Sequence, residues 1–306
     1  MKITVIGAGN VGSLSAMRIA AEGLGDVLLI DVVKGLALGK ALDLEDARPL
    51  LKNNYNIQGS DDIAEVKDSD IVVVTAGLAR KPGMTREELL VKNAQILKDV
   101  CLKIKELAKN AIVIIVTNPL DIMTFYALKV TGFKPGKLFG MGISLDTARF
   151  TNLISQELHL PATDIEALVM GAHGEGMLPL AGFTKIKGVR LDEFVSDEKI
   201  KSLITRTINR GAQIVANLGT GSAFFAPSAA IASIVKTVVK DEKRTIGVCS
   251  YLNGQYGIKD SCIGVPCRLG KNGIEQIIEL DLSTDELAQL TKSAAAVAQA
   301  AAQLSV

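Results

Sequence analysis

Of the two histidines in the chain, one is set for proton transfer. His173 lies in Met170-Gly171-Ala172-His173-Gly174-Glu175-Gly176-Met177, where glycines on both sides leave an imidazole accessible. An imidazole titrates near neutrality, so it can take and return a proton at physiological pH. His159, in Glu157-Leu158-His159-Leu160-Pro161 at the end of a helical pattern, reads as structural. Asp146 and Arg149 stand at i and i+3 of a helical stretch and therefore share one face. A guanidinium can grip a carboxylate bidentately, which fixes direction as well as charge; on spacing alone, an ion pair within a surface helix explains the two better than a functional role. A third group is cationic. Arg80, Lys81 and Arg86 fall within the seven residues 80–86, among Gly77, Pro82, Gly83 and Thr85. That composition suits a loop able to close on an anionic ligand, or a basic surface loop.

These groups need a frame, and the N-terminus begins it. Lys2-Ile3-Thr4-Val5-Ile6 reads as a strand buried on both faces. It stops at Gly7-Ala8-Gly9-Asn10-Val11-Gly12, and Val11, Leu14, Ala16 and Ile19 then recur at helical spacing. In a strand–turn–helix context, G-x-G-x-x-G is a dinucleotide signature. Gly7 permits the tight turn, Gly9 lets backbone approach a pyrophosphate, and Gly12 lets helix pack on strand. The free N–H groups at the helix start would face the phosphates. Asp26-Val27-Leu28-Leu29-Ile30-Asp31 is a second buried strand ending in an acid, and Asp31 lies 19 residues beyond Gly12. At about that separation a carboxylate meets the adenosine ribose, where it favours NAD and repels the 2′-phosphate of NADP.

Strands and helices then alternate: a helix over 36–47, a third buried strand over 70–77, a long helix over 87–109, and a fourth strand over 111–117 ended by Asn118-Pro119. This rhythm predicts an α/β fold, a doubly wound (Rossmann) parallel sheet over residues 1–141. Right-handed crossovers would bring the loops after Ile6, Ile30, Thr75 and Val116 to one carboxyl edge, where such sheets bind ligands. Past Gly140 the rhythm changes to an α+β substrate or catalytic domain over 142–306. Its expected elements are a helix over 144–158 with Ser144 as N-cap, a strand into Gly171, short strands around Lys187-Gly188, and helices over 198–217 and 227–240. Hairpins turning at Asn253-Gly254 and Asn272-Gly273 follow, then a final helix capped by Ser283.

Composition narrows the partners. With 34 basic and 33 acidic residues the net charge is +1, which offers no footprint for nucleic acid or a membrane surface. No apolar run approaches the ~20 residues of a membrane span. Cys101, Cys249, Cys262 and Cys267 form no C-x-x-C pair, so reduced thiols and no metal site are expected. The N-terminus enters a strand directly, without the apolar region of a secretory leader, so the expected setting is the cytoplasm.

Taken end to end, the chain resembles the lactate/malate dehydrogenase family, nearest to its lactate-dehydrogenase-like prokaryotic malate enzymes. The resemblance is carried by Gly7-x-Gly9-x-x-Gly12, Asp31, Thr75-Ala76-Gly77, the run Arg80 to Arg86, Val116-Thr117-Asn118-Pro119, Leu145-Asp146-Thr147-Ala148-Arg149 and Gly171-Ala172-His173-Gly174. It implies hydride transfer between a 2-hydroxy acid and NAD, in the citric acid cycle. It further implies that His173 takes the hydroxyl proton, Asp146 orients the imidazole, Arg149 holds the C1 carboxylate and Arg86 polarises the carbonyl oxygen. Asn118, before an expected cis Pro119, would lie near nicotinamide and substrate, and Ser222 would line the pocket. Cofactor contacts are implied at Gly7, Gly9, Asn10, Val11, Gly12, Asp31, Thr75, Ala76, Gly77, Asn93, Val116 and Asn118.

Substrate choice turns on Arg80. Lactate dehydrogenases typically carry a neutral glutamine at that place, whereas Arg80 offers a cation to a second carboxylate, as in malate and oxaloacetate. A buried pair that loses one partner is penalised by roughly 3–5 kcal/mol, on the order of a hundredfold to a thousandfold in discrimination. An L-malate dehydrogenase is therefore expected, with a lactate or other 2-hydroxy-acid dehydrogenase, or a catalytically silent NAD-binding protein, as the alternatives. The expected assembly is a homo-oligomer, tetramer rather than dimer. One departure stands out: many relatives read Gly-Asp-Thr or Gly-Asp-Ser after the histidine, and this chain reads Gly174-Glu175-Gly176, with Ala172 at a frequent glycine.

Overall fold

A computed structural model describes residues 1–78 and 85–304. The first half runs β1 (Lys2–Ile6), α1 (Asn10–Ala21), β2 (Asp26–Ile30), α2 (Leu36–Leu51), β3 (Ile57–Ser60), β4 (Ile71–Val74), α3 (Arg86–Leu107), β5 (Ile112–Ile115), α4 (Leu120–Thr131) and β6 (Leu138–Gly140). These six strands pair in parallel in the order β3-β2-β1-β4-β5-β6. Four of them are the apolar runs of the sequence, and β4 and β5 are buried at every position because helices cover both faces.

β3 and β6 were not expected. Ile57-Gln58-Gly59-Ser60 has one apolar residue because it is an edge strand, and β6 has only three residues. The helix α4, also unexpected, is buried at ten of its twelve positions and so lacks the polar face that marks a surface helix.

The second half contributes α5 (Ser144–Leu158), β7 (Ile165–Glu166), β8 (Val169–Gly171), β9 (Met177–Pro179), β10 (Lys185–Ile186), β11 (Val189–Arg190), α6 (Asp197–Leu218), α7 (Phe225–Val239), β12 (Arg244–Asn253), β13 (Lys259–Gly270), β14 (Gly273–Ile277) and α8 (Thr284–Ala301). The sheet continues across the halves: β12 pairs with β6 at Cys249 and Gly140, and β13, β8 and β9 follow, all antiparallel. One core therefore runs under both halves, and a smaller one, around Phe150, Leu153 and Ile154, lies beneath α5. Across the junction α7 lies on α1, with Arg18 Nε donating to Ser228 Oγ at 3.1 Å.

Local chemistry sets the helix starts that matter for the site. Thr85 and Glu88 form a complete capping box on α3, and Ser283 and Glu286 form one on α8, each stabilising its helix by about 1 kcal/mol. Ser144 does not cap α5: the N-cap is Ile143, and the Ser144 hydroxyl donates instead to the Met141 carbonyl at 3.0 Å. The residue is already helical, so its hydroxyl turns back to the preceding carbonyl. Among the described residues, no helix is long and apolar enough to cross a membrane and no acidic, histidine or cysteine cluster could hold a metal. The four cysteines are free and buried.

Candidate active site

At the carboxyl edge of β1 the chain turns at Gly7, whose φ is +105°. A Cβ there would lie 2.7 Å from Thr75 Oγ1 and 2.8 Å from the Ala76 nitrogen, and one on Gly12 would lie 1.8 Å from the Gly7 carbonyl oxygen. Neither position admits a side chain. A Cβ on Gly9, by contrast, would meet nothing within 4 Å, so this is the open side of the turn. Gly9 is also the N-cap of α1, with no side-chain cap and no acid in the first turn. The N–H groups at Asn10 and Val11 thus begin a helix whose positive end is left for an anion.

The neighbouring groups hold this turn. Asp31 accepts the Ala8 N–H at 2.6 Å and the Val33 N–H at 2.9 Å, which fixes a carboxylate beside the glycine turn. Thr75 Oγ1 donates to the carbonyls of Ile6 and Gly7. Ala76 and Gly77 continue along the same edge, where Thr117 Oγ1 donates to the Ala76 carbonyl at 2.6 Å, and Val116 is buried beneath them. Lys40, not anticipated from the sequence, donates from α2 to the Ala8 carbonyl at 2.6 Å and to Ser13 Oγ at 3.1 Å. A cradle closed to side chains, an uncapped helix start and a strand-end carboxylate together fit a dinucleotide.

The second cluster is built of charge. Asp146, in the first turn of α5, is fully buried. Its Oδ2 meets His173 Nδ1 at 2.7 Å and its Oδ1 accepts from Arg149 Nη1 at 3.1 Å. The intrahelical pair of the sequence is therefore buried and shared with the histidine, with the Arg149 side chain 11% exposed. Arg149 Nε has no partner, and the guanidinium lies alongside α6, where a Cβ on Gly211 would meet Nη1 at 3.5 Å in ordinary contact. A buried arginine with a free N–H is a ready carboxylate receptor. His173, at the tip of the β8–β9 hairpin, has a side chain 19% exposed. Burial disfavours its protonation, but the charge and hydrogen bond of Asp146, with the charge of Asp121, outweigh that and raise its pKa above the ordinary 6.5, while Arg149 opposes them.

Asp121 was not anticipated either. It follows Pro119 in the first turn of α4 and reads in the sequence as an ordinary helix-start acid, yet it is buried and its Oδ2 accepts the His173 N–H at 2.7 Å. Burial raises its carboxyl above the usual range, against the opposing pull of the Cys249 thiol and of His173. Asp121 ties the histidine to the Asn118-Pro119 turn, whose peptide bond is cis. Asn93, expected as a cofactor contact, is buried and engaged with two loops: Oδ1 accepts from the Leu78 N–H at 2.8 Å and Nδ2 donates to the Asn118 carbonyl at 2.8 Å. Hydrogen bonds join Leu78, Asn93 and Asn118 in one set and Asp121, His173, Asp146 and Arg149 in another, and the backbone from Asn118 to Asp121 links the two sets. Ser222 sits exposed in the link between α6 and α7. Arg80 and the side chain of Arg86 lie outside the described residues.

Comparison with known proteins matches two parts of the chain to one family. Residues 1–140 match the family model of the lactate/malate dehydrogenase NAD binding domain, and residues 143–304 that of the lactate/malate dehydrogenase alpha/beta C-terminal domain. The malate dehydrogenase of Chlorobium luteolum is 47% identical over 300 residues, covering 98% of this chain and 97% of that one. Among solved structures, the apo malate dehydrogenase of Picrophilus torridus superposes with a TM-score of 0.95 at 40% identity, over 99% of this chain and 96% of that one. The lactate dehydrogenase of Cryptosporidium parvum, complexed with lactic acid and nicotinamide adenine dinucleotide, gives 0.95 at 36% identity, over 99% and 97%.

Proposed function

The chain belongs to the lactate/malate dehydrogenase family, and from that premise we propose that it is an NAD-dependent L-malate dehydrogenase. The reaction is (S)-malate plus NAD⁺ giving oxaloacetate, NADH and a proton, reversibly. NAD, when bound, supplies the acceptor for the C2 hydride and its donor in reverse. His173 takes the C2 hydroxyl proton, and Asp146 holds the ring through Nδ1 and stabilises the imidazolium that results. Arg149 receives the C1 carboxylate with the donors that Asp146 leaves free. Arg86 polarises the C2 oxygen, Arg80 pairs with the C4 carboxylate, and Asn118 and Ser222 line the substrate. Asp31 and the glycine turn hold the adenosine half of the cofactor. The observation that carries the reading is the buried Asp146 shared by His173 and Arg149, a proton carrier and a carboxylate receptor on one anchor.

The same reading sets the domain boundary near residue 141, the location in the cytoplasm and the role in the citric acid cycle. It also gives a homo-oligomer, a tetramer rather than a dimer. Support for assembly comes from α2, where Leu38 and Leu42, one turn apart on the same side, are each at least half exposed, apolar surface that water disfavours.

The test is kcat/KM with NADH for oxaloacetate against pyruvate. Oxaloacetate is expected to lead by on the order of a hundredfold or more, the size of one stranded carboxylate, and Arg80→Gln should erase most of that lead. Pyruvate reduced as well as oxaloacetate makes the protein a lactate or broader 2-hydroxy-acid dehydrogenase.

A further inference from the structure

We propose that Ser293, on the last helix of the chain, is a positioning residue for the His173 loop, and that Gly176 is glycine because the Ser293 hydroxyl occupies the place of its side chain. The proposal rests on the role of His173 given above.

Ser293 Oγ accepts the Ala172 N–H at 3.1 Å and donates to the Gly176 carbonyl at 3.0 Å. Those backbone groups bracket His173 within the five residues that join β8 to β9. A Cβ on Gly176 would lie 2.6 Å from Ser293 Oγ and 3.1 Å from the Ala172 Cβ, so the hydroxyl and a side chain at 176 compete for one space. The helix that delivers the hydroxyl is held independently. Its start is fixed by the Ser283–Glu286 capping box, and the Ser261 hydroxyl of β13 donates to the Ala294 carbonyl, the residue next to Ser293, at 2.9 Å. β13 also pairs with β8 at Gly264 and Gly171.

The consecutive N–H groups of Ala172 and His173 are thus taken by side chains of two different helices, Ser293 of α8 and Asp121 of α4. Beside the turn's own Met177 N–H to Gly174 carbonyl bond, these two distant anchors hold the hairpin tip and with it the 2.7 Å approach of the imidazole to Asp146. Removing the hydroxyl leaves a donor and an acceptor unpaired and frees the tip to relax.

Among the described residues, the charges that act most on His173 come from Asp146 and Arg149 of α5 and Asp121 of α4. Loss of a neutral hydroxyl on α8 changes none of them, so a change in the titration of His173 reports a change in geometry. The experiment follows the C2 proton resonances of the full-length protein against pH; with two histidines, His159→Gln assigns both. In Ser293→Ala the His173 midpoint is expected to fall toward the ordinary 6.5 while that of His159 stays. The kcat for oxaloacetate should drop about tenfold, below the ~100-fold that a 1 Å misplacement costs, with NADH affinity unchanged. Gly176→Ser alone, with two hydroxyls for one space, should also lose turnover, and adding Gly176→Ser to Ser293→Ala should recover part of it. An unmoved His173 midpoint with unchanged kcat, accompanied only by a lower Tm, overturns the proposal. The titration needs no turnover, so a protein inactive on every 2-hydroxy acid would contradict the proposed function and still leave this inference decided by the midpoint.

Discussion

At the end of β1 the tightest constraint is steric, a Cβ on Gly12 that would fall 1.8 Å from the Gly7 carbonyl oxygen. At the β8–β9 tip it is electrostatic, an imidazole 2.7 Å from a fully buried carboxylate that also holds an arginine. The first region presents main-chain N–H groups and a helix end, whose partial charges are fixed and do not titrate, beside the Asp31 carboxylate. The second presents titratable side chains from α4, α5 and the β8–β9 tip, whose charge depends on pH and on one another. On the proposed function, cofactor binding and proton transfer are thereby kept apart: a change on one side should leave the other measurable.

The largest separation is expected from His173→Asn. A positioned general base contributes on the order of 10²- to 10⁴-fold, so turnover should fall by that amount, while fluorescence titration with NADH gives an unchanged Kd. Near-normal turnover would remove His173 from the reaction. The converse is Gly12→Ala, which has no space for its methyl group. NADH binding should weaken by ten- to a hundredfold, with a loss of stability of about 1–3 kcal/mol, in the range for overpacking. Histidine resonances should still report His173 paired with Asp146, and a displaced His173 titration would mean the regions are coupled. The smallest effect is expected from Asp31→Ser. Its carboxylate is anchored by two backbone N–H groups rather than by the substrate side, so the NADPH/NADH ratio of kcat/KM should rise about tenfold, ~1.4 kcal/mol, with kcat for NADH little changed.

The contrast also explains what was legible in the sequence. A backbone requirement restricts residue type, so Gly7, Gly9 and Gly12 announce themselves, and strands buried on both faces must be continuous apolar runs. β3 escaped notice because an edge strand needs no such run. His173 stood out because an imidazole between glycines is suited to proton transfer, whereas the spacing of Asp146 and Arg149 by itself reads as a surface ion pair and their proposed roles come only from the family resemblance. Asp121 and Ser293 were not legible, because each bonds to main-chain groups that every residue carries, across 52 residues for Asp121 and 121 and 117 for Ser293. Nothing local distinguishes Asp121 from any acid in a helix's first turn, and only the fold reveals its burial. The sharing of Asp146 between His173 and Arg149 likewise appears only once α5 and the hairpin meet.

The division of labour is tested most directly by the pH dependence of kcat/KM in both directions. On the proposed mechanism, neutral His173 accepts the proton from malate and the imidazolium returns it to oxaloacetate. Oxidation should therefore rise with pH, and reduction fall, through one shared midpoint above 6.5, since Asp146 and Asp121 outweigh the burial that opposes protonation. In Asp146→Asn that midpoint should move down in both directions, with NADH affinity retained. Two directions that respond to pH with the same sign, or a midpoint that Asp146→Asn leaves in place, would contradict proton transfer through the His173–Asp146 pair.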